Sequence, residues 1–250
     1  MIDAAPRLKI VVPYRDRERQ LRQFLPHIRN YFAKRDIPYH IVVAEQAEGL
    51  PFNRGAVKNA GFRLGGESDY TCFHDVDYLP LEADYGWTDF PAGLVWAGAE
   101  SVPIKARGQT HYIKPDMPKF FGGAVLMPNM LFEQVDGYSN QYWGWGYEDT
   151  DLISRFQAAN ITCVRRRGSF RPLIHDSEGY EAHGNLNEAG ARNRALYLDK
   201  WRVSAPRQAD GLSTLTYEIL SRQTLVEPVN EQGGCEKFTL LLSPPDGPSQ

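Results

Sequence analysis

Long apolar stretches are missing from this chain. No window approaches the ~18 consecutive apolar residues of a membrane-spanning helix, so no transmembrane anchor is expected. The opening residues, MIDAAPRLKIVVPYRDRE, carry no apolar signal core before the charges begin, which points to the cytoplasm, with peripheral attachment to a membrane assembly left open. Cysteine is scarce too. Cys72, Cys163 and Cys235 are odd in number, far apart and without a CxxC pair, so neither a disulfide framework nor a cysteine metal site is expected. Positive charge is not in excess. A formal net charge of −3 supplies no field for a general nucleic-acid binder, and Arg165-Arg166-Arg167 reads as a solvated strand end. Internal repeats and low-complexity segments are absent. What remains is 250 residues of ordinary globular composition, 42% hydrophobic and 24% charged, long enough to bury a substantial core.

Leu8 to Tyr14 is a short apolar run that reads as a buried strand. Leu21, Phe24, Leu25, Ile28, Tyr31 and Phe32 then follow helical spacing, with Pro26 expected to kink or split the helix. A strand over Tyr39–Ala44, a helix over Asn53–Leu64 and a strand over Tyr70–Phe73 complete an alternation that predicts a mostly parallel sheet flanked by helices. In such sheets ligands bind beyond the carboxyl ends of the strands. Tyr14-Arg15-Asp16-Arg17, Glu45-Gln46 and Asp75-Val76-Asp77 all fall there. Further on, a strand is expected over Leu94–Ala99, irregular chain over Gly108–Phe120, a strand over Gly122–Met127 and short helices from Pro128 and Glu148. A loop-rich tail is expected from Ser204.

The richest stretch is WGWGYEDTD, Trp143 to Asp151, where three carboxylates follow two tryptophans interleaved with glycines. Indole faces beside carboxylates suit a sugar, whose rings stack on aromatics while its hydroxyls bond to acids. The same acids also suit the N-terminus of a helix EDTDLISRFQAAN, and both readings hold together. Asp75-Val76-Asp77 is an Asp-x-Asp at a strand end. Alternation would place both carboxylates on one side to hold a cation against a diphosphate, although a polar turn has the same sequence. Arg15 and Arg17 offer guanidinium forks between strand and helix, either for a phosphate or as exposed helix-start residues. Phe52-Asn53-Arg54-Gly55 is equally two-sided. His175, followed by Asp176, and His183 in a Gly/Asn-rich loop are candidate ligands beside Asp77, against a purely structural role.

Taken in order, these pieces resemble the β-1,4-galactosyltransferase family, glycosyltransferase family 7. PYRDR at 13–17 is similar to its PFRNR, FNRGAVKNAGF at 52–62 to its FNR-x-x-x-x-N-x-GF, and FHDVDYLP at 73–80 to its DVD strand end. FFGGAVLM at 120–127, WGWGYEDTD at 143–151 and DGLSTLTY at 210–217 continue the match over residues 8 to 217. The resemblance implies an α/β GT-A fold over 1–250 as one catalytic domain. Its nucleotide-binding half would be 1–80, its donor and acceptor half 81–220, and its C-terminal tail 221–250. It further implies a UDP-sugar donor, Mn²⁺ or another divalent cation, inversion at the anomeric carbon and a glycan or glycolipid acceptor. By position, Asp77 and His175 would bind the metal, with His183 as a further candidate. Pro13, Arg15, Arg17, Phe52, Arg54, Asp75, Val76, Phe120, Gly122 and Gly123 would hold the nucleotide and donor. Asp149 would be the base and Glu148 would contact the donor sugar. Trp143, Trp145, Gly146, Thr150 and Asp151 would form the lid and acceptor side.

The chain departs from the family pattern at several places. Leu173 and Pro172 stand where family members supply a second metal side chain, so water, phosphate or His183 would complete the shell. Thr150 replaces an acidic residue that contacts the acceptor, which puts the usual GlcNAc acceptor in doubt. Phe120 stands in place of a tyrosine that helps restrict the donor to galactose, favouring UDP-Gal without excluding UDP-GalNAc. The family's Golgi anchor and stem are not seen, as in a bacterial-type cytosolic enzyme that builds surface glycan. The alternatives are a chondroitin-polymerase-like or family 2 GT-A transferase using UDP-GalNAc or another UDP-sugar, and a catalytically silent sugar- or nucleotide-binding module.

Overall fold

The computed structural model describes residues 5–94, 104–106, 109–111, 121–166, 168–173, 187–202, 209–229 and 232–244. The first 75 residues follow the expected alternation: β1 (Leu8–Tyr14), α1 (Glu18–Phe32), β2 (Tyr39–Gln46), α2 (Arg54–Arg63) and β3 (Tyr70–His74). Every residue of β1 is buried because helices cover both faces of the sheet, which is why its sequence is continuously apolar rather than alternating. Leu8, Ile10 and Val12 pack with Leu21, Phe24 and Ile28 of α1, while Val11 turns to the other face. Gly61 lets α2 lie directly on β1, since a Cβ there would come within 2.4 Å of Val11.

β4 (Tyr78–Ala83), β5 (Ala92–Gly93), β6 (Ile104–Ala106), β7 (Gln109–His111) and β8 (Ala124–Pro128) follow. Next come α3 (Asn129–Gln134), α4 (Glu148–Ala158), β9 (Val164–Arg165), β10 (Gly168–Pro172) and α5 (Glu188–Arg202). A 3₁₀ turn at Leu212–Thr214 leads to β11 (Tyr217–Val226) and β12 (Cys235–Leu242). The large sheet has the order β11-β12-β2-β1-β3-β8-β5-β9. Within it β12, β2, β1 and β3 run parallel, while β8 is antiparallel to β3 and β11 to β12. The mostly parallel sheet flanked by helices is therefore observed.

Several expectations are corrected. α1 runs unbroken through Pro26, because that residue faces solvent and water can satisfy the carbonyl its ring leaves unbonded. Among the described residues the tail from Ser204 is not loop-rich: β11 and β12 form a long hairpin, and β12 lies parallel to β2 within the sheet. A buried Phe238, Leu240 and Leu242 drive that docking against Val42, Ala44 and Val57. The stretch Gly108–Phe120 contains β7, which pairs with β6; its remaining residues, and most of the strand expected over Leu94–Ala99, lie outside the described residues. Cys72 and Cys235 are buried free thiols and Cys163 is a partly buried one. Among the described residues no helix is long and apolar enough to cross a membrane.

Candidate active site

The parallel strands β1 and β3 end on one edge of the sheet, and the chain just beyond them lines a cavity of ≈ 350 Å³. Pro13, Arg15, Asp16 and Arg17 come from the end of β1, Phe52 and Arg54 from the entry to α2, and Asp75, Val76, Asp77 and Tyr78 from the turn after β3. Gly144, Trp145, Gly146 and Glu148 close the other side. Three guanidinium groups and four carboxylates thus meet around one hollow. Glu45 and Gln46 do not join them. Glu45 pairs with Lys237 and Thr239 of β12, and Gln46 accepts the Asn53 backbone N–H at 2.7 Å, so both shape the scaffold instead.

Local chemistry explains each placement. Asn53 caps α2, its side-chain oxygen accepting the Ala56 N–H at 2.9 Å, which sets Arg54 at the first helical position. Arg15 stacks its guanidinium 5.1 Å from the Phe52 ring centroid and donates to the Leu50 carbonyl at 2.7 Å. Asp75, Val76 and Asp77 form a turn between β3 and β4, not a strand, so the alternation that would have aligned the two acids does not apply. Asp75 instead takes an ion pair from Arg54. Asp77 lines the cavity, and its backbone carbonyl accepts the Leu173 N–H at 2.6 Å, which ties the chain leaving β10 to the same turn.

The WGWG loop enters α4 through a left-handed residue, Tyr147 at φ 75°, a conformation costing roughly 1–2 kcal/mol for a non-glycine. α5 holds it there. Tyr147 packs on Tyr197 with ring centroids 5.5 Å apart, and buried Asn193 donates to the carbonyls of Trp143, Trp145 and Gly146 at 3.1–3.3 Å. Gly144 and Gly146, at φ 82° and 95°, supply the turns that most side chains resist. The loop therefore leaves Glu148 buried against Arg54 at 3.4 Å, and Asp149 beside Lys58 at 2.8 Å. Burial, reinforced by the charge of Asp149, pushes the Glu148 carboxyl above its usual range, with Arg54 and Lys58 opposing. Arg54 is half-buried, which disfavours its charge, yet Asp75, Glu148 and Asp149 hold the guanidinium firmly protonated.

Of the sequence-predicted residues, Pro13, Arg15, Arg17, Phe52, Arg54, Asp75, Val76, Asp77, Trp145, Gly146 and Glu148 converge on the cavity. Asp149 lies one residue beyond, its side chain 19% exposed, and Thr150 is exposed on the helix start. Gly122 and Gly123 lead into β8, where the Gly123 carbonyl accepts the Asp75 N–H at 2.7 Å. Trp143 packs, partly buried, against the core cluster that includes Val57, Phe238 and Leu240 rather than lining the hollow. Asp151 is a correction. It points into the protein, where Arg155 and Lys200 hold it at 2.6 and 3.1 Å and Tyr142 and Trp201 donate to it. Burial opposes its ionisation, but these cations and donors keep its carboxyl below the usual range. Phe120, His175 and His183 lie outside the described residues. Sequence reading gave no role to Asp16, Tyr78 and Gly144, although they lie inside the PYRDR, FHDVDYLP and WGWGYEDTD segments. It also missed Lys58 and Asn193, for which the sequence carries no signal.

A parallel sheet whose carboxyl edge gathers arginines, an Asp-x-Asp turn and an aromatic-acidic loop has the architecture of the GT-A glycosyltransferases. Residues 2–87 match the family described as the N-terminal region of glycosyl transferase group 7, and residues 105–176 the one described as the N-terminal domain of galactosyltransferase. Human β-1,4-galactosyltransferase 7 is 33% identical over 229 residues, 88% of this chain and 63% of that protein. The Caenorhabditis elegans xylosylprotein 4-beta-galactosyltransferase is 30% identical over 226 residues, 88% of this chain and 73% of that protein. The chain belongs to the β-1,4-galactosyltransferase family. It is similar in structure to the catalytic domain of Drosophila β-1,4-galactosyltransferase 7 in complex with xylobiose, with a TM-score of 0.73 at 25% identity over 95% of this chain and 94% of that one. A mutant of that Drosophila enzyme was solved in complex with manganese, UDP-Gal and xylobiose. The chain spans 63% of the human relative's length and 47% of the Drosophila relative's, under two thirds of each.

Proposed function

We propose that this chain is a metal-dependent, inverting galactosyltransferase that moves galactose from UDP-galactose to a hydroxyl of a xylose-containing glycan. The observation that carries the reading is the single cavity on which Arg15, Arg17, Phe52, Arg54, Asp77, Trp145 and Glu148 converge, with Asp149 at its margin. Family membership favours this over a family 2 transferase or a silent module, and the xylobiose complex of the Drosophila enzyme supports the acceptor class.

The residues divide the work by position. Phe52 offers an apolar face for the uracil, and Arg15, Arg17 and Arg54 present guanidinium groups to the diphosphate. Glu148 contacts the donor sugar, and Trp145 covers donor and acceptor, excluding water. Asp149 accepts the proton of the acceptor hydroxyl while that oxygen bonds to the anomeric carbon from the face opposite UDP. The carbon–oxygen bond to UDP breaks and UDP departs with the electron pair, giving a β-linkage.

The residues suit a divalent cation in part. Asp75 and Asp77 are two carboxylates at the donor edge, but Arg54 occupies Asp75, and the described residues contain no group of three His, Cys, Asp or Glu able to hold a metal. Asp77 and His175 would hold the ion, because the backbone bond from Leu173 to Asp77 brings the chain leading to His175 to that turn. The ion's chemistry there is neutralisation of the leaving diphosphate. Three free thiols and no disulfide favour a reducing, cytoplasmic setting.

The test is incubation of the protein with UDP-galactose, Mn²⁺ and xylobiose, with product analysed by mass spectrometry and linkage by NMR. Transfer to xylobiose but not to N-acetylglucosamine is expected. Equal transfer from UDP-N-acetylgalactosamine would overturn the donor assignment, and transfer to N-acetylglucosamine alone would overturn the acceptor.

A further inference from the structure

We infer that Lys58 is a positioning residue for sugar transfer: its ammonium anchors one oxygen of Asp149 from the protein interior, so that the other is presented to the acceptor hydroxyl. The inference rests on the assignment of Asp149 as the base. Arg54 and Lys58 stand four residues apart on α2, hence on one face, and meet the consecutive acids Glu148 and Asp149 of α4. The two cations differ in exposure. Arg54 lines the cavity, whereas the Lys58 side chain is 2% exposed and lies behind the carboxylate. Its Nζ donates to Asp149 Oδ1 at 2.8 Å and sits 4.4 Å from the centroid of the buried Tyr138 ring, whose face supports the charge. Asp149 Oδ2 accepts no hydrogen bond among the described residues.

Packing alone does not explain a lysine here. Its helix neighbours Ala56, Val57 and Ala60 are buried and apolar, and an apolar side chain would fill the site without the desolvation cost of a buried ammonium. In the reaction the acceptor proton passes to Asp149 and the ammonium keeps its own protons throughout. Its role is to fix the carboxylate's orientation. The charged groups facing Asp149 are Lys58 and Arg54 from α2 and Glu148 from α4, with the Tyr138 hydroxyl nearby.

The test uses Lys58→Met, near in volume but uncharged, and Lys58→Arg, assayed with UDP-galactose, Mn²⁺ and xylobiose beside Asp149→Asn. Lys58→Met is expected to lower kcat at least tenfold while KM for UDP-galactose and the calorimetric affinity for UDP stay within twofold. Lys58→Arg recovers part of the rate. A Lys58→Met enzyme with native kcat, beside an inactive Asp149→Asn, overturns the inference and leaves the base assignment standing. A loss of kcat with no recovery by arginine marks a packing role, and also overturns it. Native transfer by Asp149→Asn removes the base assignment itself. If Lys58→Met does not fold, Lys58→Gln is read by the same criteria.

Discussion

Asp149 and Asp151 stand two residues apart in the first turn of one helix and live in opposite surroundings. Asp149 is 19% exposed, touches a single cation through one oxygen, and directly follows Glu148, which lines a cavity of ≈ 350 Å³. Asp151 is fully buried and saturated, with Arg155, Lys200, Tyr142 and Trp201 all directed at it. Arg155 and Lys200 also bind Asp210, whose Oδ1 accepts the Asn140 N–H, so Asp151 ties α4 and α5 to the loop before the WGWG segment. Two steps along a helix rotate a side chain by about 200°, which is enough to separate the carboxylate proposed as the base from a structural one. An open lone pair suits a base, and a full set of donors suits a bolt.

The sharpest way to break this contrast is to neutralise each acid in turn. Asp149→Asn is expected to lower the transfer rate about 10²–10⁴-fold with UDP affinity and melting temperature preserved, read by steady-state kinetics, calorimetry and thermal unfolding. Asp151→Asn should do the reverse. It leaves two buried cations partly uncompensated and costs about 3–5 kcal/mol in urea unfolding, while the folded fraction retains most of its activity. A rate collapse in a fully stable Asp151→Asn protein would refute the division.

Acid supplies a second lever on the same pair. The Asp151 carboxyl lies below its usual range when folded, and about 3.9 is usual when unfolded, so its stabilisation is complete above that pH. It is lost as pH falls through the lower, folded value. Unfolding free energy measured from pH 6 to 3 should therefore drop more steeply for the native protein than for Asp151→Asn.

Smaller effects are expected from the partners. Arg54→Ala removes a fork from the proposed diphosphate site and strands Asp75 and Glu148. UDP binding should weaken about ten- to a hundredfold, as hydrogen bonds to charged groups are each worth about 1.5–3 kcal/mol. Asn193→Ala releases the three carbonyls of the WGWG loop, for about 1 kcal/mol or a few-fold change in KM, with faster amide exchange over 143–146. An Asn193→Ala enzyme with native exchange in that loop would show that α5 does not hold it.

The strands β1, β2 and β3 were legible because burial on both faces leaves a continuous apolar run, and the polar clusters after β1 and β3 followed from their parallel direction. The C-terminal hairpin was not. β11 is exposed along most of its length, and β12 finds its partner β2 about 190 residues earlier, so neither periodicity nor neighbours announce them. Lys58 was hidden for a related reason. Its helix reads as an ordinary buried segment, and only the approach of α4 gives its ammonium a counter-charge.

By itself the sequence determined where the chemistry is concentrated, since strand ends and the Trp143–Asp151 stretch are local features of composition and spacing. Which acid is left partly open, which cation stands behind it and which residues hold the loop were decided by the tertiary structure alone. Those facts depend on helix phase and on contacts of α2 with α4 and of α5 with the WGWG loop, between residues as far as 91 apart, and no local pattern encodes them.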